Sequence, residues 1–300
     1  MRLLTFRLGS GEPRPGALVD DSVVDLVALA AARGVTLPGD VREYVTDADV
    51  LERTRRLLEA EQASLPGSVV HPLDDVTLCA PFRPGKIIGV GLNYVEHVEE
   101  SSRTLDTDKE LPTRPVLFSK PATAVVGPGE SILHNGDLTS QLDWEVELAV
   151  VIGKRAFRVG EDEAMDYVAG YSITNDISAR DQRRGGQWFF SKGQDSYAPF
   201  GPWVVTPDEI ADPQALDLSL RVNGVTKQSS NTRHMLFPIR TLIADITSGM
   251  TLEPGDVIAT GSPSGVGAAH NPPHYLQPGD VVELDIEGIG RLSNPVVDAR

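Results

Sequence analysis

The sequence predicts a strand-dominated α+β protein, a mixed β-sandwich or β-roll domain preceded by a small N-terminal α/β domain. Two observations carry this reading. From Lys86 onward, short β-branched and apolar runs alternate with Gly and Pro punctuation, whereas helical periodicity is confined to a few segments. The first eighty or so residues differ, because short strands there are followed by a longer stretch of helical spacing.

In chain order, residues 3–7 and 22–26 read as strands, and 41–63 as a helix with Val45, Leu51, Leu57 and Leu58 available for one apolar face. The turn-rich stretch Ser64-Leu-Pro-Gly-Ser-Val-Val-His-Pro then marks a boundary. Placed near residue 75, it divides the chain into an N-terminal cap, 1–75, and a catalytic domain, 76–300. Strands are expected at 86–90, 116–118, 145–152, 203–206, 218–222, 257–260 and 281–286, and helices at 161–169 and 238–248. Two Pro-Gly-Asp-Val turns, beginning at Pro254 and Pro278, each lead into an apolar strand.

Composition narrows the function. With 43 acidic against 27 basic residues the net charge is −16, which repels nucleic acid and anionic lipid. No run approaches the roughly 20 apolar residues of a membrane helix, and the first residues lack the apolar centre of a signal peptide. Cytoplasmic residence is therefore the default expectation. The single cysteine, Cys79, excludes an intramolecular disulfide and reads as a small hydrophobe.

The chemistry starts at Asp143-Trp-Glu-Val-Glu-Leu-Ala-Val-Val-Ile-Gly. Strand alternation puts Glu145 and Glu147 on one face, with Cα atoms roughly 6.5 Å apart, and that face continues through Ala149 and Val151 as if toward an interior. Paired carboxylates in a dry place need a compensating cation or proton, while an edge strand with a solvated acidic face gives the same pattern without function. Asp176, at the end of a second strand-like run, adds a third oxygen donor. Three carboxylates without Cys or His favour Mg²⁺ or Mn²⁺ over Zn²⁺.

His97 and Glu100, three residues apart after the glycine turn Gly89-Val-Gly91, form a candidate base pair; an exposed surface pair has the same spacing. A Rossmann reading of those glycines fails for want of the third glycine. The polar stretch 94–112 that carries His97 reads as a lid closing over substrate or as a surface loop. Arg180, Arg183, Arg184 and Lys192 make a basic segment in an acidic chain, read equally well as an anion site or as solvated charge.

Taken together, Gly91-Leu-Asn-Tyr-Val-Glu-His97, Phe118-Ser-Lys-Pro121, Trp144-Glu-Val-Glu-Leu148, Asn175-Asp-Ile-Ser-Ala-Arg-Asp181, Phe190-Ser-Lys-Gly193 and the run Pro254 to Gly267 resemble the fumarylacetoacetate hydrolase superfamily, with its motifs in order. The resemblance implies Glu145, Glu147 and Asp176 as ligands of Mg²⁺ or Mn²⁺, and His97 with Glu100 as general base. It implies Lys192 as the lysine facing the substrate or its oxyanion, and Arg180, Asp181, Thr260 and Ser262 as substrate-binding residues. It also implies a homodimer acting on a small-molecule carboxylate. Val90 stands where true fumarylacetoacetases carry a fourth metal-coordinating aspartate, which points to the broader bacterial-type branch, and Arg233-His234 replaces the Ser-Asp-like pair of that branch.

The implied reaction is hydrolysis of a C–C bond in a 2,4-dioxo acid of acylpyruvate type, through a metal-bound enolate. Decarboxylation of an oxaloacetate-type acid, hydration of a 2-oxo-enoate and keto-enol isomerisation use the same site. The non-enzymatic alternative is a β-sandwich binding protein with a structural metal.

Overall fold

A computed structural model describes residues 1–61, 65–96 and 111–299. The larger of its sheets runs Val70–Pro72, Ser22–Asp25, Arg14–Val19, Arg2–Arg7, Ala198–Val205, Val168–Asn175, Val146–Ile152, Val257–Ala259, Ile87–Gly91, Val116–Lys120. Thr77–Cys79 pairs with Arg2–Arg7, and Val125–Val126 with Ala198–Val205. A five-stranded sheet, Val225–Asn231, Asp217–Val222, Val281–Ile286, Gly290–Asp298 and Ile132–His134, packs against it. The strand-dominated α+β expectation holds. The N-terminal strands do not stand apart, because Arg2–Arg7 is hydrogen-bonded to Ala198–Val205 and the two parts of the chain share one sheet.

Both faces of the larger sheet are buried. Leu148, Val150 and Ile152 join Leu220, Leu284 and Leu292 of the smaller sheet, with Leu242, Ile243 and Ile246 of the helix Ile239–Thr247, in one core. Ala149 and Val151, on the opposite face, pack with Val41, Tyr44, Val45 and Val50 of the N-terminal helices. Fully burying one such aliphatic side chain contributes about 1.5–3 kcal/mol, so Val146–Ile152, wholly buried, is among the most firmly held elements.

Several expected elements differ in detail. The helix read over 41–63 is two helices, Val41–Thr46 and Ala48–Glu61, because the Asp47 carboxylate accepts from the Asp49 and Val50 N–H groups and starts a new helix. The helix expected at 161–169 is a single 3₁₀ turn, Ala164–Tyr167, running into the strand Val168–Asn175. Val168 and Ala169 already belong to that strand, and Gly170 lies so close to Val205 O that a Cβ there would sit 2.5 Å away. Strands at Arg14–Val19, Val225–Asn231 and Gly290–Asp298 escaped the sequence reading. The second of these follows an Asn223-Gly224 turn with φ of 51° and 75°, the positive pair that a two-residue hairpin requires. Among the described residues no helix is long and apolar enough to cross a membrane.

Candidate metal centre and substrate site

The three carboxylates meet because two neighbouring strands start and end at the same level. Val146 pairs with Asn175, so Glu145 immediately before one strand lies beside Asp176 immediately after the other, and the Asp176 N–H donates to Glu145 O at 2.9 Å. The Glu145 N–H donates in turn to Asn175 Oδ1 at 3.0 Å. Glu147 follows on the same face. One oxygen from each of Glu145, Glu147 and Asp176 lies within 4.8 Å of the others. The donors around one octahedral Mg²⁺ are roughly 3–4 Å apart, so small adjustments suffice.

None of the three is a solvated edge residue. Glu147 is 1% exposed and Asp176 fully buried, and their strands lie inside the sheet rather than at its border. Burial drives the Glu147 carboxyl well above the ordinary carboxylate range, and Asp176 and Glu145 add to the rise. Burial also raises Asp176, outweighing the two lysines beside it. Carboxylates held at such a cost call for a cation.

Among the described residues, Lys192, Lys120 and Arg180 pair with these carboxylates. Lys192, on the short helix Phe189–Lys192, donates to Glu145 Oε2 at 2.7 Å and to Asp176 Oδ2. Lys120, at the end of Val116–Lys120, lies 2.6 Å from Asp176 Oδ1 and donates to the carbonyls of Ile177 and Tyr197 at 3.1 and 2.7 Å. Arg180 donates from Nη2 to Glu145 Oε1 at 2.6 Å and from Nε to Asp143 Oδ2 at 2.8 Å. Burial opposes the Arg180 charge, but Glu145 and Asp143 outweigh it and raise its pKa. Among the described residues, Asp143, Glu145, Glu147 and Asp176 thus share one buried cluster with Lys120, Lys192 and Arg180, with the Arg183 guanidinium also acting on it. A divalent ion would leave the cluster net positive, the sign that an anionic substrate requires. The hard oxygen donors and their spacing fit Mg²⁺ or Mn²⁺.

The loop after Val257–Ala259 closes the site. Gly261 N–H donates to Glu147 Oε2 at 2.9 Å. Thr260 Oγ1 donates to Leu148 O at 2.9 Å, and Ser262 Oγ accepts from Gln228 Nε2 at 2.8 Å. Asn93, fully buried, donates to Thr260 O and Phe237 O and accepts from Phe237 N–H, tying this loop to the segment that leads toward His97. The glycines rejected as a nucleotide motif have a steric role. A Cβ at Gly89 would lie 2.1 Å from the Phe118 ring and one at Gly91 would lie 2.3 Å from Trp188. Those two rings approach each other at 5.5 Å, and the Lys192 ammonium stands 4.8 Å from the Phe118 centroid.

The structure therefore brings Glu145, Glu147, Asp176, Lys192 and Arg180 together, with Thr260 and Ser262 on the adjoining loop. Asp181 faces elsewhere, its oxygens accepting from Thr139 Oγ1 at 2.6 Å and Ser140 N–H at 3.0 Å. His97, Glu100 and most of the 94–112 stretch lie outside the described residues. Lys120 and Asp143 were missed by the sequence reading. Asp143 could have been found, since it continues the Glu145 and Glu147 alternation by one step, and Lys120 ends an apolar strand just before Pro121.

The chain belongs to the fumarylacetoacetate hydrolase family. The family model described as Fumarylacetoacetate (FAA) hydrolase C-terminal matches residues 86–297. The chain is 39% identical to the mitochondrial oxaloacetate tautomerase fahd2 of Xenopus laevis, over 99% of this chain and 90% of that one. It is 42% identical to oxaloacetate tautomerase YisK of Bacillus subtilis, over 87% of each. Maleylpyruvate hydrolase from Sphingobium sp. SYK-6, solved with manganese(II) and pyruvate, superposes with a TM-score of 0.80 at 31% identity, each chain covered in full.

Proposed function

We propose that this protein is a Mg²⁺- or Mn²⁺-dependent enzyme that interconverts the keto and enol forms of a small 2-oxo dicarboxylate of oxaloacetate type. The supporting observation is the buried Glu145, Glu147 and Asp176 cluster, spaced to hold one metal ion, in a chain whose near full-length relatives carry the name oxaloacetate tautomerase. A bound divalent ion supplies Lewis-acid polarisation of the 2-oxo group, which acidifies the neighbouring C3 protons. The reaction then needs one proton taken from C3 and one delivered to the C2 oxygen, with nothing gained or lost overall. His97, assisted by Glu100, takes the C3 proton in this reading, and the Lys192 ammonium donates a hydrogen bond to the oxygen on which charge develops. Arg180 holds Glu145 in place from the side of Asp143.

Hydrolysis of a C–C bond in a 2,4-dioxo acid is the second reading, favoured by the likeness to maleylpyruvate hydrolase and by the same His97 and Glu100 pair, which could activate water. One comparison separates the two. With Mn²⁺ present, decay of the ultraviolet enol absorbance of oxaloacetate is expected to be accelerated without pyruvate release, while acylpyruvates are turned over far more slowly. Rapid pyruvate release from an acylpyruvate, with no acceleration of oxaloacetate enol decay, would overturn the first reading in favour of the second.

A further inference from the structure

Gln228 lies on the smaller sheet, yet its side chain, 1% exposed, reaches the strand that follows Glu145 and the loop after Val257–Ala259. Its Oε1 accepts from Val146 N–H at 2.9 Å, and its Nε2 donates to Ser262 Oγ at 2.8 Å and Pro263 O at 2.7 Å. Val146 stands between Glu145 and Glu147. On one side it pairs with Asn175, whereas on the other the ladder to Val257–Ala259 begins only at Ala149. Gln228 thus supplies the acceptor that the ladder does not, for the peptide linking two carboxylates of the centre. The loop reaches Gln228 because Gly265, with φ of 100°, lies against Lys227 O, where a Cβ would be 2.1 Å away.

The amide cannot be turned over. Val146 N–H only donates and Pro263 O only accepts, so Oε1 must face the first and Nε2 the second. It follows that Ser262 Oγ is an acceptor toward Gln228 and its proton is directed away from it. Thr260, two residues earlier, has the opposite polarity, because its proton is already given to Leu148 O. Ser262 directly follows Gly261, whose N–H holds Glu147, so it lies on the loop that adjoins the carboxylate cluster.

We infer that Gln228 is a positioning residue that fixes Ser262 as a hydrogen-bond donor, and so selects a carboxylate at that point of the substrate. The inference rests on the reading above that the substrate is a carboxylate bound at a divalent centre. A carboxylate oxygen only accepts, and a serine free to present a lone pair instead would meet it with repulsion part of the time.

Calorimetric titration of the Mn²⁺-loaded protein with oxalate tests this without relying on turnover. Ser262→Ala is expected to weaken oxalate binding about five- to tenfold, the size of one net hydrogen bond, and Ser262→Thr to leave it within about twofold. With each protein held saturated with Mn²⁺, Gln228→Met is expected to weaken it severalfold alone and not at all in the Ser262→Ala background, with the effect on turnover confined to KM. Unchanged oxalate affinity in Ser262→Ala overturns the inference even if Gln228→Met fails to fold. Losses that multiply in the double variant also overturn it, since Gln228 would then act independently of Ser262. If wild-type protein binds oxalate with this mutational pattern yet does not turn over oxaloacetate, the tautomerase reading fails and the inference stands. Turnover of oxaloacetate without oxalate binding leaves the reading intact and removes the inference.

Discussion

Glu147→Gln protein is expected to bind Mn²⁺ more weakly by at least about 100-fold and to lose turnover, while folding as well as the wild type. Loss of outer-sphere partners alone costs metal sites about 10–100-fold, and a direct ligand should exceed that. Glu147 is the best of the three carboxylates for this test. Glu145 and Asp176 are paired with Lys192, Lys120 or Arg180, and neutralising either would leave a buried cation short of a partner. Gln at 147 retains an oxygen to accept from Gly261 N–H and removes a buried charge that desolvation disfavours. The metal-free variant should therefore unfold at or above the wild-type denaturant midpoint. Equal Mn²⁺ affinity in the two proteins, measured by electron paramagnetic resonance of free Mn²⁺, would remove Glu147 from the centre.

His97→Ala is expected to lower kcat by ~10²–10⁴-fold, the usual contribution of a general base, with little change in oxalate affinity. Glu100→Gln should fall between this variant and the wild type, because a glutamate acting through His97 only orients the ring and raises its basicity. The split between turnover and binding distinguishes a base from a residue that holds substrate. A His97→Ala enzyme with unchanged kcat and a raised KM would assign it the second role and leave C3 proton transfer to another group.

The metal cluster was legible in the sequence because period-two alternation is local. Glu145 and Glu147 share a face whatever the rest of the chain does, and Ala149 and Val151 beyond them signalled that the face is buried. The alternation alone could not exclude a solvated edge. That required the partners Val168–Asn175 and Val257–Ala259 on either side, which are long-range pairings. Lys120, present in a quoted motif, was given no role and Gln228 went unread for the same reason. Each reaches the cluster or its adjoining loop from an element remote in sequence, and nothing near Gln228 distinguishes it from other polar residues of its strand. The helix expected at 161–169 failed because Val168 and Ala169 belong to the strand Val168–Asn175, fixed by long-range pairing with Val146–Ile152, which leaves only the single turn Ala164–Tyr167 before it. The Asn223-Gly224 hairpin, in contrast, was available from local chemistry and went unread.

Enolisation is expected to require a divalent ion at Glu145, Glu147 and Asp176. The direct measurement is the rate of oxaloacetate keto-enol exchange by protein stripped with EDTA, freed of chelator and titrated with Mn²⁺, with a protein-free Mn²⁺ titration subtracted and Glu147→Gln run in parallel. The predicted result is no acceleration by the stripped wild-type protein and recovery that saturates near one equivalent of Mn²⁺, with none in the variant. Full acceleration by stripped protein, with its residual metal measured and found far below the enzyme concentration, would contradict it.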